Sequence, residues 1–388
     1  MNTTRLTPRT WLFGCLAALA VLFAGRLVWD LASTTDFGES DFKIYWSATY
    51  LLSRGQNPYS IESIKSILQA LPHSTPVADI MAWNPPFLFV VLLPLAWLPF
   101  AAAKFLWLLI NILIILTAAL MLVNIYLQAA SPQLRLAFLS FAIIFPAAIT
   151  GLYMGQVTFL VFWGLVASMA LLRKEQWFWA GAVLILTTIK PHMVILPVLY
   201  VLLYMAYRGK YSGWAGLAAA GFVSLAILLA FRSDLLTNVM GETSVASGRW
   251  ATSTVGGLLS YLKITEAGRF LILLFLPLPV FLARYPERFN RELSVALLTL
   301  ITVPTTIFGW SYDQTILLIP IAQVFGWLPN LKDRAAIIGG IAAVTLLSYV
   351  QRVLPINEVY YVWIPLVWWL IFGVTWRSAA ARKNCYAW

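Results

Sequence analysis

Charge is scarce in this chain. Of its 388 residues only 11% are Asp, Glu, Lys or Arg, and 61% are apolar. An ordinary soluble domain carries roughly 25% charged residues. A water-soluble fold of this length could not bury so much apolar surface, so the bilayer is the solvent for most of it. Histidine and cysteine are scarce too, with two of each. His73 and His192 cannot make a multi-histidine metal site. Cys15 and Cys385 stand near opposite ends of the chain, with neither metal-ligand spacing nor a disulfide framework. No Gly-rich phosphate loop, HExxH, GxSxG or CxxC occurs, and no nucleophilic triad is recognisable. No cofactor and no metal are expected.

The formal net charge is +11. In a soluble protein that would point to nucleic acid. Here the basic residues sit in short loops between apolar runs, as the positive-inside rule describes, and no basic-aromatic stripe accompanies them. Nucleic acid is therefore not an expected partner; membrane lipids are.

The first apolar run, Trp11 to Ala32, follows Arg5 and Arg9. It is long enough to span and lacks an A-x-A-like cleavage site after it, so it reads as a retained helix rather than a signal peptide. Further runs lie near 85–103, 105–127, 136–150, 157–172, 177–189, 193–207, 214–231, 270–283, 293–308, 314–328, 335–350 and 361–376. Several fall short of the roughly 20 residues of a comfortable span, which suits helices ending beside a water-filled cavity. Basic clusters mark every second loop from 173 onward: Arg173-Lys174, Arg208 with Lys210, Arg284 with Arg288 and Arg291, Lys332 with Arg334, and Arg377 with Arg382 and Lys383. That side is read as cytoplasmic and carries both termini. Loops 33–84, 150–156, 190–192, 232–269, 309–313 and 351–360 then face outward. Two cytoplasmic ends require an even number of crossings, so one run is not a full crossing. The short run 136–150, which contains Pro146, is the candidate for a re-entrant segment. The expected fold is all-α, a single membrane-embedded domain over residues 1–388 with about 12 spanning helices.

Loop 33–84 is long and acidic, holding Asp36, Glu39, Asp41, Glu62 and Asp79. Asp41, Tyr45 and Leu52 recur on one helical face, and Gly55 with Asn57-Pro58 ends that segment. A second helix is expected over roughly Ile61 to Ala70, stopping before Pro72. Both are read as short helices on the membrane surface, and a loop of this length is more often functional than a plain connector. Loop 232–269 is the second long outer loop.

Ionisable groups at this outer edge are the candidates for chemistry. A partly desolvated Asp41 would suit a general base, while the plainer reading is a helix-start acid complementing the helix dipole. Asp313, in Trp310-Ser-Tyr-Asp313, is either functional or a turn residue. Lys190, in Ile189-Lys-Pro-His192, is a functional candidate or a lysine snorkelling to the interface. Arg249 and Arg269 could pair with phosphate or be solvated. Trp46, Tyr50, Tyr59, Trp83 and Trp310 could pack on sugar rings or belong to the interfacial belt.

In order and spacing, Asp41-Phe42…Tyr45-Trp46-Ser-Ala48…Leu51-Leu52…Gly55-Gln-Asn-Pro58-Tyr59, Asn84-Pro85-Pro86-Phe87, Gly155-Gln156-Val-Thr-Phe-Leu160, Lys190-Pro191-His192 and Trp310-Ser-Tyr-Asp313…Pro320 resemble glycosyltransferase family 87. These are polyprenyl-phosphate-mannose-dependent mannosyltransferase-like membrane proteins of the GT-C fold. Asn57 departs from the Asp frequent before Pro-Tyr in the family, and His192 from the Gln common after Lys-Pro. The resemblance implies a bundle of GT-C type in the bacterial plasma (inner) membrane. It implies transfer of a hexose, with mannose the expected sugar, from a polyprenyl-phosphate-sugar donor to a glycan or glycolipid acceptor on the extracytoplasmic face. The mechanism would be inverting direct displacement, with Asp41 as base. Lys190, His192, Arg249 and Arg269 are then the expected donor-phosphate residues, and Asp36, Tyr45, Tyr59, Gln156, Trp310, Tyr312 and Asp313 the expected substrate-binding residues. Two rival readings are a transporter or flippase of lipid-linked sugars, which inverted repeats would favour, and a non-catalytic scaffold.

Overall fold

The computed structural model describes residues 37–71, 82–234, 250–287, 289–331 and 333–381. Every regular element among them is helical, α or 3₁₀, and none is a strand. The expected first helix, Asp36, His73, Asp79 and Arg249 lie outside the described residues.

The apolar runs become helices with bounds set by local chemistry. Pro99 precedes the longest, Phe100–Tyr126. Its 27 residues at ~1.5 Å each make about 40 Å, more than the ~30 Å hydrocarbon core. Ser131 caps the next helix by accepting the Leu134 N–H, and Pro132 occupies its first turn. That helix stops at Ile144 because Pro146 has no N–H to continue it. A second piece, Pro146–Met154, follows at a 41° bend. The segment expected to be re-entrant is therefore a broken pair, longer than anticipated at both ends. Asn290 caps Arg291–Thr305 through the Glu292 and Leu293 amides.

Among the described residues, five helices are long and apolar enough to cross a membrane, or six if the bent pair counts as one span: Phe100–Tyr126, Pro132–Met154, Tyr211–Phe231, Ala267–Arg284, Arg334–Arg352 and Glu358–Ala380. The chain is a multi-pass membrane protein. The expected count of about twelve crossings is not reached by length among the described residues. Phe87–Trp97, Thr158–Arg173, Trp177–Ile189 and Ile195–Tyr207 are apolar but shorter. Helix Thr158–Arg173, one of these shorter helices, has most of its side chains buried. Tyr211–Phe231 lies outermost and exposes Phe222 and Val223, yet packs tightly on helix Trp177–Val183. A Cβ at Gly216 would meet the Phe178 carbonyl oxygen at 1.9 Å, a backbone approach that small residues permit between membrane helices.

The two helices expected in the first long loop both form. Ile61–Ala70 has the expected bounds. Ser60 caps it, and only Ile64 and Leu68 are buried, as befits a surface helix. Phe42–Leu52 differs from expectation: nearly all its side chains are buried, Lys43 and Ser47 included. It is enclosed by protein rather than laid on a membrane surface. Phe42 stacks with Trp107 at 5.7 Å and Phe100 at 6.2 Å, and Trp46 Nε1 donates to the Leu95 carbonyl at 3.1 Å.

Three of the basic loops gather together: Arg173 lies 3.8 Å from Glu292, Arg291 donates to the Leu172 carbonyl at 3.4 Å, and Lys210 stands over the Trp177 ring at 5.5 Å. The loops carrying Asp41, Gln156, Lys190 and Trp310 meet elsewhere, around the cavity described below. The alternation of basic clusters in the sequence predicts the orientation. In a background without Cys15 and Cys385, Ser63→Cys is expected to react with a membrane-impermeant maleimide from the extracytoplasmic face, and Ser378→Cys only after the cytoplasmic face is opened. Labelling of both from one side would overturn that orientation.

Candidate functional site

Helix Pro146–Met154 ends at Gly155, whose φ of +69° is left-handed and closes the helix in the way glycine does best. The Gln156 N–H then returns to the Gly151 carbonyl at 2.9 Å. The segment before Asp41 straps onto this corner: the Gly38 N–H donates to the Tyr153 carbonyl at 2.7 Å and the Asp41 N–H to the Met154 carbonyl at 2.9 Å. Trp107 Nε1 donates to the Gly155 carbonyl at 2.9 Å. A Cβ on Gly155 would stand 2.5 Å from the Gly38 carbonyl oxygen and 2.7 Å from Phe42 Cβ. Backbone geometry thus brings Asp41 and Gln156 together from positions 115 residues apart.

Asp41 occupies the N-cap of helix Phe42–Leu52, but its side chain makes no capping bond. Its Oδ2 accepts instead from Gln156 Nε2. Gln156, wholly buried, accepts at Oε1 from Lys190 Nζ at 2.9 Å. Lys190 Nζ also donates to Asp313 Oδ1 at 2.9 Å and Thr158 Oγ1 at 3.2 Å. An ammonium has three protons, and these partners use all three. The faces of Tyr312 and Trp310 stand 4.8 and 5.9 Å from Nζ, within cation–π range. Asp313 is held by Thr158 Oγ1 at 2.5 Å on Oδ1 and by the Trp310 N–H at 3.1 Å on Oδ2. Lys190 therefore sits in a built ion pair, not at a snorkelling position, and Asp313 is more than a turn residue.

This network forms one wall of a cavity of about 480 Å³, within the roughly 300–1,000 Å³ range of ligand pockets. Asp41, Tyr45, Asn84, Lys190, His192 and Tyr312 contribute polar groups to the lining, and Trp83, Trp250, Phe308 and Trp310 an aromatic side. Trp250 is the centre of that side. Its ring lies 5.1 Å from Trp83, 5.4 Å from Phe308 and 5.5 Å from Trp310.

Of the residues expected at the site, Asp41, Tyr45, Lys190, His192, Trp310 and Tyr312 line the cavity. Gln156 and Asp313 stand directly behind it. Tyr59 does not line it. The ring is fully buried, and its hydroxyl donates to the Asn84 carbonyl at 3.1 Å, so it supports the wall from behind. Asn57 Oδ1 accepts the Tyr59 N–H at 3.0 Å, a turn bond that an Asp in its place could also make. Arg269 does not line it either. Its guanidinium bonds Glu266, Ser260 and the Trp250 carbonyl and lies 5.8 Å from the Phe308 ring, bracing the aromatic side. Asp36 and Arg249 lie outside the described residues. Thr158, Trp250 and Phe308 were not singled out from sequence. Thr158 lies two residues past Gln156, and that spacing was the one available signal.

Burial holds the Tyr45 and Tyr312 phenols well above their ordinary range, with Asp41 and Asp313 adding to the effect. Burial lowers His192 to about 4, outweighing the pull of Asp313. His192 is thus neutral at pH 7 and can offer an N–H but no charge. Among the described residues no group of three or more His, Cys, Asp or Glu is arranged to hold a metal ion.

A sequence profile of glycosyltransferase family 87 matches residues 83–308, more than half of the 388-residue chain. The protein belongs to glycosyltransferase family 87. The matched stretch carries Gln156, Thr158, Lys190, His192, Trp250 and Phe308; Asp41 precedes it and Asp313 follows it. No curated protein matches the chain, and no solved structure does.

In this glycosyltransferase the Lys190–Asp313 pair is buried on both sides, and removing one partner of such a pair strands a charge. Asp313→Ala is expected to cost about 3–5 kcal/mol. The Lys190→Met/Asp313→Ala double variant should regain part of that loss. Thermal unfolding in detergent measures it, and a double variant no more stable than Asp313→Ala would deny the coupling.

Proposed function

We propose that this family 87 glycosyltransferase moves a hexose, with mannose the expected sugar, from a polyprenyl-phosphate donor to a hydroxyl of a glycan or glycolipid acceptor on the extracytoplasmic face. One observation carries the reading: a carboxylate, an ion-paired lysine and a set of aromatic rings share one cavity. A sugar offers hydroxyls and apolar C–H faces to such a lining, and its phosphate offers charge.

Asp41 is the base in this reading. It faces the cavity, and its side chain is not used as a helix cap. It takes the proton of the acceptor hydroxyl as the acceptor oxygen bonds to the anomeric carbon. The bond from that carbon to the phosphate oxygen breaks, its electron pair leaving with polyprenyl phosphate. A single displacement inverts the anomeric centre. Charge grows on the departing oxygen and must be met by nearby donors. The wall carrying Lys190 and His192 can meet it. The 3.2 Å bond from Lys190 to Thr158 is the longest of its three, and so the one a phosphate oxygen would displace most readily. His192 adds a neutral donor. A flippase would move the lipid-linked sugar without making a glycosidic bond, so the assay for product separates the two functions.

Asp41→Asn preserves shape and removes basicity. Turnover with a polyprenyl-phosphate sugar is expected to fall by roughly 10²-fold or more while donor binding persists; near-wild-type turnover would remove Asp41 from the mechanism. Lys190→Met is expected to raise donor KM and lower kcat together, by about tenfold each. Lys190→Arg should keep part of both, since charge survives and geometry changes. A folded Lys190→Met protein with unchanged KM and kcat would reject a phosphate role.

A further inference from the structure

Gln156 was expected to touch substrate. It is wholly buried and lies between two ionic groups, which gives it a different task. An amide is asymmetric, with an oxygen that only accepts and a nitrogen that only donates. Lys190 is a donor without an acceptor, so it takes Oε1. The NH₂ is thereby turned to Asp41 and donates to Oδ2. Were Lys190 absent, the amide could rotate by half a turn and set its oxygen against the carboxylate. The backbone leaves little other freedom, because Gln156 follows the left-handed Gly155 and its N–H is tied to Gly151.

We infer that Gln156 is the positioning residue of the base: Lys190, itself anchored by Asp313 and Thr158, sets the direction of the Gln156 amide, and the amide holds the Asp41 carboxylate ionised and in one orientation toward the cavity. This rests on Asp41 being the base. It assigns the lysine a role at the base as well as at the phosphate, through a side chain that touches no substrate.

Gln156 donates to Asp41, the Asp41 charge acts on Tyr45 of its own helix and on Tyr312 of the segment after Gly309, and Lys190 and Asp313 follow Gln156 along the network. Tyr45 and Tyr312 stay protonated through the working range, since burial holds both phenols up. His192, farther along the lining, is lowered by burial to about 4 and is neutral through the working range. A hydrogen bond donated to a carboxylate favours its charged form, so losing it raises the pH at which the base becomes active.

The test is the pH profile of kcat/KM for transfer from a polyprenyl-phosphate sugar, measured on the full-length protein in detergent. Gln156→Leu removes the donor. Gln156→Glu retains size and an acceptor for Lys190 but sets a second carboxylate against Asp41. Both are expected to move the acidic limb upward by about one to two pH units, with much of the lost rate returning at high pH. If either folded variant loses rate equally at every pH with its limb unmoved, Gln156 only fills space and the inference falls. Asp41→Asn is run beside them. If it retains turnover, the base assignment itself has failed. If it is inactive while the Gln156 variants show the wild-type limb, only the positioning role has failed.

Discussion

One ammonium held out of water sets the terms for this end of the molecule. Lys190 carries a charge into a site where its side chain is 7% exposed, and a buried charge is tolerable only when its protons and its counter-ion are supplied in good geometry. Asp313 supplies them from one segment, and Gln156 and Thr158 from another, each at the end of a helix or 3₁₀ turn. The demand is mutual. Asp313 would be as costly without Lys190, and the Gln156 amide would lose its preferred direction. The arrangement therefore holds or fails as a unit, and Asp41 joins it as the member facing the cavity.

The bundle makes such a unit possible by ending helices early. Proline and glycine interrupt the apolar runs near the site: Pro146 breaks one helix, Gly155 closes the next, and Pro191 follows Lys190 in a short 3₁₀ turn. Irregular backbone is admissible at membrane depth only where protein encloses it or a cavity receives it. Here the interrupted ends meet one another, so their freed polar groups find partners. The long helices Phe100–Tyr126 and Tyr211–Phe231 do the opposite work, with little polarity and much exposed apolar surface. In the proposed reaction this division has a purpose, since a lipid-linked donor would bring its tail to lipid and its sugar to polar groups.

Much of this was legible without coordinates, because apolar length and proline position act locally. The run 177–189 reappears with the same bounds as two successive helices, and Ile61–Ala70 ends where Pro72 required. Lys190 and Asp313 stood out because ionisable residues are rare beside apolar runs. Phe42–Leu52 was misread for an equally plain reason. Its one-sided spacing of Asp41, Tyr45 and Leu52 describes a face but cannot say whether the other face meets solvent or Phe100, Trp107 and Leu95. Tyr59 looked like its neighbours among the outer aromatics, and only its bond to the Asn84 carbonyl showed that it stands behind the wall.

The sequence by itself determined that the chain is helical, that it lives in a membrane, which family it resembles, and which few charges deserve suspicion. These follow from composition and from patterns within a few turns of helix. Only the tertiary structure decided that Lys190 answers to Asp313, that Gln156 has a direction, and that Trp250 gathers three aromatic neighbours. The bonds of Lys190 to Gln156 and Asp313 alone span 34 and 123 positions. A contact of that kind depends on where several helices end in space, a quantity that no local pattern of residues contains.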